Sequence, residues 1–131
     1  MKAFNNGDWV RAHYNSGTYI GKVLEDRGDR FLIEVHAVHK HPLQGDLHQL
    51  NRVEDVYFHE RKALAYLEKM NVKKAAVHPF DGELPAYAAS LKAAVDEARK
   101  KLEAKESLYN TKALQAINML EKTYYESIYS E

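Results

Sequence analysis

Cysteine is absent from the 131 residues, which removes disulfides, thiol nucleophiles and every thiolate metal site together. Net charge is absent too. Nineteen Lys and Arg balance nineteen Asp and Glu, so no whole-molecule field attracts nucleic acid or an anionic membrane. No apolar run approaches a membrane span, and Met1-Lys2-Ala3-Phe4-Asn5-Asn6-Gly7-Asp8 lacks the apolar stretch of a signal peptide. Catalytic signatures are missing as well: there is no Gly-x-Ser-x-Gly, no His-Glu-x-x-His and no phosphate-cradling glycine loop. What remains is one domain, or a small domain with a helical extension. It is expected to be cytoplasmic, without direct membrane insertion, nucleic-acid partner, metal or cofactor.

With only three prolines and six glycines, each one reads as punctuation. Gly7-Asp8 opens a first strand, Trp9 to Tyr14, with Val10, Ala12 and Tyr14 on one face. Asn15-Ser16-Gly17-Thr18 is a turn, and the β-branched run that follows holds Gly21, the mark of a bulge or a close backbone approach. After a turn at Asp26-Arg27-Gly28-Asp29, the residues Phe31, Ile33, Val35 and Ala37 alternate with Leu32, Glu34, His36 and Val38. A fourth strand is expected near Val53 to Tyr57. The fold class is therefore α+β. Residues 1–58 are expected to form an SH3-like small antiparallel β-barrel, and residues 59–131 a helical region packed on or beside it.

Pro42 and Gly45 break regular structure, so residues 41–52 are expected to be an exposed loop. A helix is predicted over residues 60–70, with Ala63, Leu64, Leu67 and Met70 along one side. Leu84, Ala88, Leu91, Val95, Ala98 and Leu102 form a longer stripe, and Ala113, Ile117, Leu120 and Tyr124 form another. Register is lost between them, and Ser107 and Asn110 offer caps. An antiparallel helix hairpin joined near residues 104–110 follows.

Three of the seven histidines lie within the ten residues from His39 to His48, at the seam of the two parts. Loops on rigid scaffolds concentrate binding residues. His41, Gln44, Asp46, His48, His59, Glu60 and Arg61 are therefore the candidate partner contacts, able to supply charged and adaptable hydrogen bonds. The same residues have a structural use, which is to pin the barrel to the helix. Trp9 and Tyr19 are a candidate aromatic patch for a peptide or a cation. One enzymatic alternative is a small metal-dependent site built on the clustered histidines His36, His39, His41, His48 and His59. Another is acid–base chemistry by Asp46 with His48 or His59 with Glu60.

Three strings carry a family likeness. They are Tyr14-Asn15-Ser16-Gly17-Thr18-Tyr19-Ile20-Gly21, then His41-Pro42-Leu43-Gln44-Gly45-Asp46-Leu47-His48, then Phe58-His59-Glu60-Arg61-Lys62-Ala63-Leu64-Ala65. In this order, and on through Pro85-Ala86-Tyr87-Ala88-Ala89-Ser90-Leu91-Lys92, the chain resembles the kinase-associated protein B (kinase-associated lipoprotein B) family of spore-forming bacilli. The resemblance implies an SH3-like barrel followed by helices. It also implies a regulator that supports a membrane sensor histidine kinase in the phosphorelay that starts sporulation. Its expected partner is that kinase or an accessory membrane protein, and it brings no catalytic residues. Lipid attachment to a bacterial lipoprotein needs a cysteine after a signal peptide, and the chain has neither, so membrane proximity is expected to come from the partner.

Overall fold

The computed structural model describes residues 3–45 and 58–130. Five antiparallel strands form one sheet: β1 (Trp9–Tyr14), β2 (Gly17–Asp26), β3 (Arg30–Lys40), β4 (Lys69–Lys73) and β5 (Val77–Pro79), in the order β4-β3-β2-β1-β5. The alternation expected on β3 holds, for Phe31, Ile33, Val35 and Ala37 are all fully buried. Val10 and Ala12 of β1 face the same core.

The ladder between β2 and β3 shifts register three times. Each shift adds an unpaired residue, bends the strand and increases its twist. At one shift Gly21 lies against β3, where a Cβ would run into the Glu34 carbonyl oxygen, so the close backbone approach expected at this glycine is present. The sheet curls but does not close as the expected barrel does. Its edges, β4 and β5, are not paired with each other. β5 is three residues long and ends at Pro79, which has no N–H to extend a ladder.

The helix expected over residues 60–70 is replaced by irregular chain at 58–65, a turn, and then β4. Leu67, placed on the apolar side of that helix, is exposed and has φ +68°. Met70 and Val72 are buried while Lys69, Asn71 and Lys73 are exposed, a period of two rather than 3.6. Pairing with Phe31 and Ile33 of β3 overrides helical propensity here. The sheet thus draws two strands from beyond residue 58. The strand expected at Val53 to Tyr57 lies outside the described residues.

The helix hairpin forms as the stripes indicate. α1 (Tyr87–Glu103) and α2 (Leu108–Leu120) place Leu91, Ala94, Val95, Ile117 and Leu120 in the core they share with the sheet, and Ala113 is buried beside them on α2. Ser107 is the N-cap of α2, its side chain accepting from Asn110 N–H at 3.0 Å. Asn110 Nδ2 in turn donates to the Leu102 and Lys105 carbonyls, closing the end of α1. Ser107→Ala should cost about 1 kcal/mol. A denaturant midpoint that does not move would show that the cap is not stabilising.

Beyond α2 the chain makes one π turn (Glu121–Tyr125) before a short α3 (Glu126–Tyr129). A π turn takes in one extra residue. It carries the apolar stripe from the expected Tyr124 to Tyr125, which is 1% exposed where Tyr124 is 43%. Glu121, at the start of the turn, is held by Arg99 of α1 at 2.5 Å and by the Tyr129 hydroxyl at 3.0 Å.

Candidate functional site

Residues 58–64 form a strap with no ladder partner, yet buried backbone groups must find hydrogen bonds. Side chains provide them. Gln44 brackets Arg61: its Oε1 accepts from Arg61 N–H at 2.8 Å and its Nε2 donates to the Arg61 carbonyl at 2.9 Å. The Tyr125 hydroxyl accepts from Ala63 N–H at 2.9 Å. The Tyr19 hydroxyl accepts from Leu64 N–H at 3.3 Å, and Tyr87 donates to the Leu64 carbonyl at 2.5 Å.

The segment 41–45 is tied to the strap from its own side. Gly45 N–H donates to the His59 carbonyl at 2.7 Å, and Arg61 Nη1 donates to the carbonyls of Leu43 and Gly45. Tyr109 at the start of α2 donates to the Gln44 carbonyl at 2.7 Å. Gly45 has φ +89°, a conformation that disfavours a side chain, and a Cβ there would press on the Phe58 ring at 2.9 Å. A glycine is required here on both counts.

His41 joins the two systems. Its Nδ1 lies 2.9 Å from the Pro42 carbonyl and its Nε2 2.8 Å from the Tyr125 hydroxyl. A carbonyl can only accept, so Nδ1 carries the proton and the unprotonated Nε2 accepts from Tyr125. Burial pushes the imidazole from its ordinary 6.5 down to about 4, and the Pro42 carbonyl only partly offsets this. The ring is a neutral structural link at physiological pH. Burial likewise pushes the Tyr19 and Tyr125 phenols up to about 12, so both keep their protons.

This geometry divides the residues singled out from the sequence. His41 and Gln44 are 5% and 2% exposed, so the expected exposed loop is buried over these residues and their side chains do not present a contact surface. Arg61 is half-buried, and its guanidinium is engaged with two carbonyls of the same chain. At all three the bonds tie the segment 41–45 to the strap or to Tyr125. His59 and Glu60 are exposed on the strap, while Asp46 and His48 lie outside the described residues.

The aromatic pair is also separated. Tyr19 is 1% exposed and holds the strap from inside, whereas Trp9 is on the surface. Trp9 instead stands edge-to-face with His36 at 4.8 Å, followed by Tyr66 at 5.6 Å from His36 and Tyr87 at 5.9 Å from Tyr66. His36 and His41 are not brought together. His36 faces this aromatic row and bonds Glu34 at 2.8 Å, while His41 points inward to Tyr125. Among the described residues no three His, Cys, Asp or Glu side chains gather to hold a metal ion.

Tyr87 and Tyr109 do not stand out as site residues in the sequence. Their partners are distant in the chain, and only the three-dimensional fold supplies them. The one available signal was the mismatch between nine tyrosines and a small core, since a buried tyrosine needs a hydrogen-bond partner for its hydroxyl.

Fold and site together define a small α+β protein whose polar centre is built to hold a strap. The family model described as "Kinase associated protein B" matches residues 14–125, and the chain belongs to this family. The "Kinase-associated lipoprotein B" of Bacillus subtilis (strain 168) is 41% identical over 125 residues, covering 95% of this chain and 98% of that protein. The crystal structure of kinase-associated protein B from Bacillus cereus superimposes with a TM-score of 0.80 at 31% identity, covering 93% of this chain and 98% of the other. No helix of the described residues is long and apolar enough to cross a membrane.

Proposed function

We propose that the chain is a non-enzymatic adaptor that binds a membrane sensor histidine kinase, or an accessory membrane protein, and supports it in the phosphorelay that starts sporulation. The observation that carries this reading is the engagement of the central polar groups. The imidazole of His41, the amide of Gln44 and the guanidinium of Arg61 are each bound to the chain's own backbone or to Tyr125. A catalytic site needs such groups free to meet a substrate. Membership of a family named for kinase association supplies the class of partner.

The same reading takes the sheet as SH3-like. Support comes from the four-strand meander, the 3₁₀ turn Lys74–Ala76, and a fifth strand that returns to pair with the first. Partner contact falls to the outward side of the strap, His59 and Glu60, together with Asp46 and His48. Localisation is cytoplasmic, at the membrane through the partner.

Co-purification with the solubilised sensor kinase tests the reading. The unaltered chain should be retained, and Glu60→Lys should weaken retention about tenfold while leaving the fold intact, as loss of a charged contact does. Failure of the unaltered chain to bind would overturn direct adaptor action. Equal retention of folded Glu60→Lys would remove this face of the strap as the contact.

A further inference from the structure

A β-bulge near the end of β3 builds a cationic cluster that the strap does not use. Thr18 of β2 pairs with Lys40 and Tyr19 with Val38, so His39 is an extra residue on β3. Bulges of this kind re-aim the side chains beside them. Thr18 is also opposite His13 of β1, and directly opposed residues share a face. Arg11, two residues before His13 and so on the same face, is opposite His78 of β5.

Close contacts gather around His13. The His13 and His78 rings pack edge-to-face with centroids 5.3 Å apart, and His13 Nδ1 lies 3.1 Å from the Thr18 hydroxyl. His13, His39 and Lys40 are exposed, and Arg11 is half-buried. Arg11 Nε is buried with no hydrogen-bond partner among the described residues. Salt bridges among the described residues lie elsewhere, such as Lys74 with Asp26 and Arg99 with Glu121, and none includes Arg11, His13, His39 or Lys40.

We propose that Arg11, His13, His39, Lys40 and His78 form a binding site for a phosphate group. Arg11 and Lys40 carry the permanent positive charges of this face, and the guanidinium fork matches phosphate oxygens in geometry. The surroundings of His39 agree. Burial lowers its proton affinity first, and the charges of Arg11, Lys40 and His13 lower it further. From α1, Glu97 and Lys101 line the cavity that His39 and Lys40 also line, one charge of each sign. The local field is therefore cationic at the bulge, and a bound dianion would reverse its effect on His39.

Inorganic phosphate titrated at constant ionic strength, with chloride as control, provides the test while the histidine imidazole NMR signals are followed. Saturable shifts specific to phosphate are expected at His13 and His39, with the His39 titration midpoint moved upward. Arg11→Gln and Lys40→Gln should each weaken the affinity about tenfold, as loss of one charged hydrogen bond does. Because Arg11 is half-buried, the exposed Lys40→Gln variant decides the matter if Arg11→Gln does not fold. A phosphoserine peptide that binds more tightly than inorganic phosphate would assign the group to a phosphorylated protein. Equal affinity would assign it to small phosphate compounds. Shifts that grow without saturation and match those in chloride would overturn the site, as would unchanged affinity in the folded variants.

Discussion

Truncation of Tyr125 to alanine should cost about 3–5 kcal/mol of stability, whereas Tyr124→Ala should cost no more than about 1 kcal/mol. The two residues are adjacent and chemically identical, and the π turn sets which of them faces inward. Tyr125 is 1% exposed, and its hydroxyl bridges the His41 imidazole and the Ala63 amide. Tyr124 is 43% exposed and lies under the Lys62 ammonium at 4.2 Å, a contact worth about 0.5–1 kcal/mol at a surface. Tyr125→Phe isolates the hydroxyl from the ring. It leaves the Ala63 N–H and the His41 Nε2 buried without partners, for a loss of about 2 kcal/mol. A domain of this size has only about 5–15 kcal/mol in hand, so the alanine variant should melt far below the wild type. Denaturant midpoints for the three variants give the ranking directly. Equal losses at positions 124 and 125 would mean that the π turn does not set the register.

The second large effect is a loss of stability in mild acid that traces to His41. Its folded-state pKa is about 4 against 6.5 for the free group, so the unfolded chain takes up a proton first as pH falls. Stability from the neutral ring is complete above pH 6.5 and declines as pH falls toward 4. The total is about 3 kcal/mol, because each tenfold difference in proton affinity between the folded and unfolded chain is worth about 1.36 kcal/mol. Between pH 7 and pH 5 the decline should be about 2 kcal/mol. The depressed Asp26 carboxyl, held down first by Lys74, acts in a lower window because its ordinary value is already 3.8. His41→Gln, which cannot titrate, should be less stable at pH 7 and lose clearly less between pH 7 and pH 5, the decline that remains including that of His39, whose proton affinity burial also lowers. A slope as steep as the wild type's would place the acid sensitivity elsewhere.

Several features were legible in the chain because their causes are local. Alternation at Phe31, Ile33, Val35 and Ala37 requires only the two-residue period of a strand. The hairpin of α1 and α2 follows from two 3.6-period stripes and a serine in the right place to cap. Gly21 signalled a close approach because nothing larger fits beside the Glu34 carbonyl. Misreadings arose where two periods compete over a short run. Ala63, Leu64, Leu67 and Met70 fit a helical spacing, and the edge of β3 decides for a strand over Lys69–Lys73.

The centre of the molecule shows the division most clearly. Composition and pattern by themselves determined the absence of thiol chemistry, an α+β class, three N-terminal strands and a C-terminal helix hairpin, and they drew attention to the segment around His41 and Gln44. Tertiary structure alone decided what those residues do. Gln44 finds Arg61 at a separation of 17 residues and His41 finds Tyr125 at 84, distances over which no sequence period carries information. It also decided that the sheet stays open, with β4 and β5 unpaired to each other, and that Tyr125 rather than Tyr124 faces inward. The physical reason is common to these cases. A backbone group or side chain reads its neighbours along the chain through local sterics, but the partner that satisfies a buried polar atom is whichever group the packed core brings within about 3 Å.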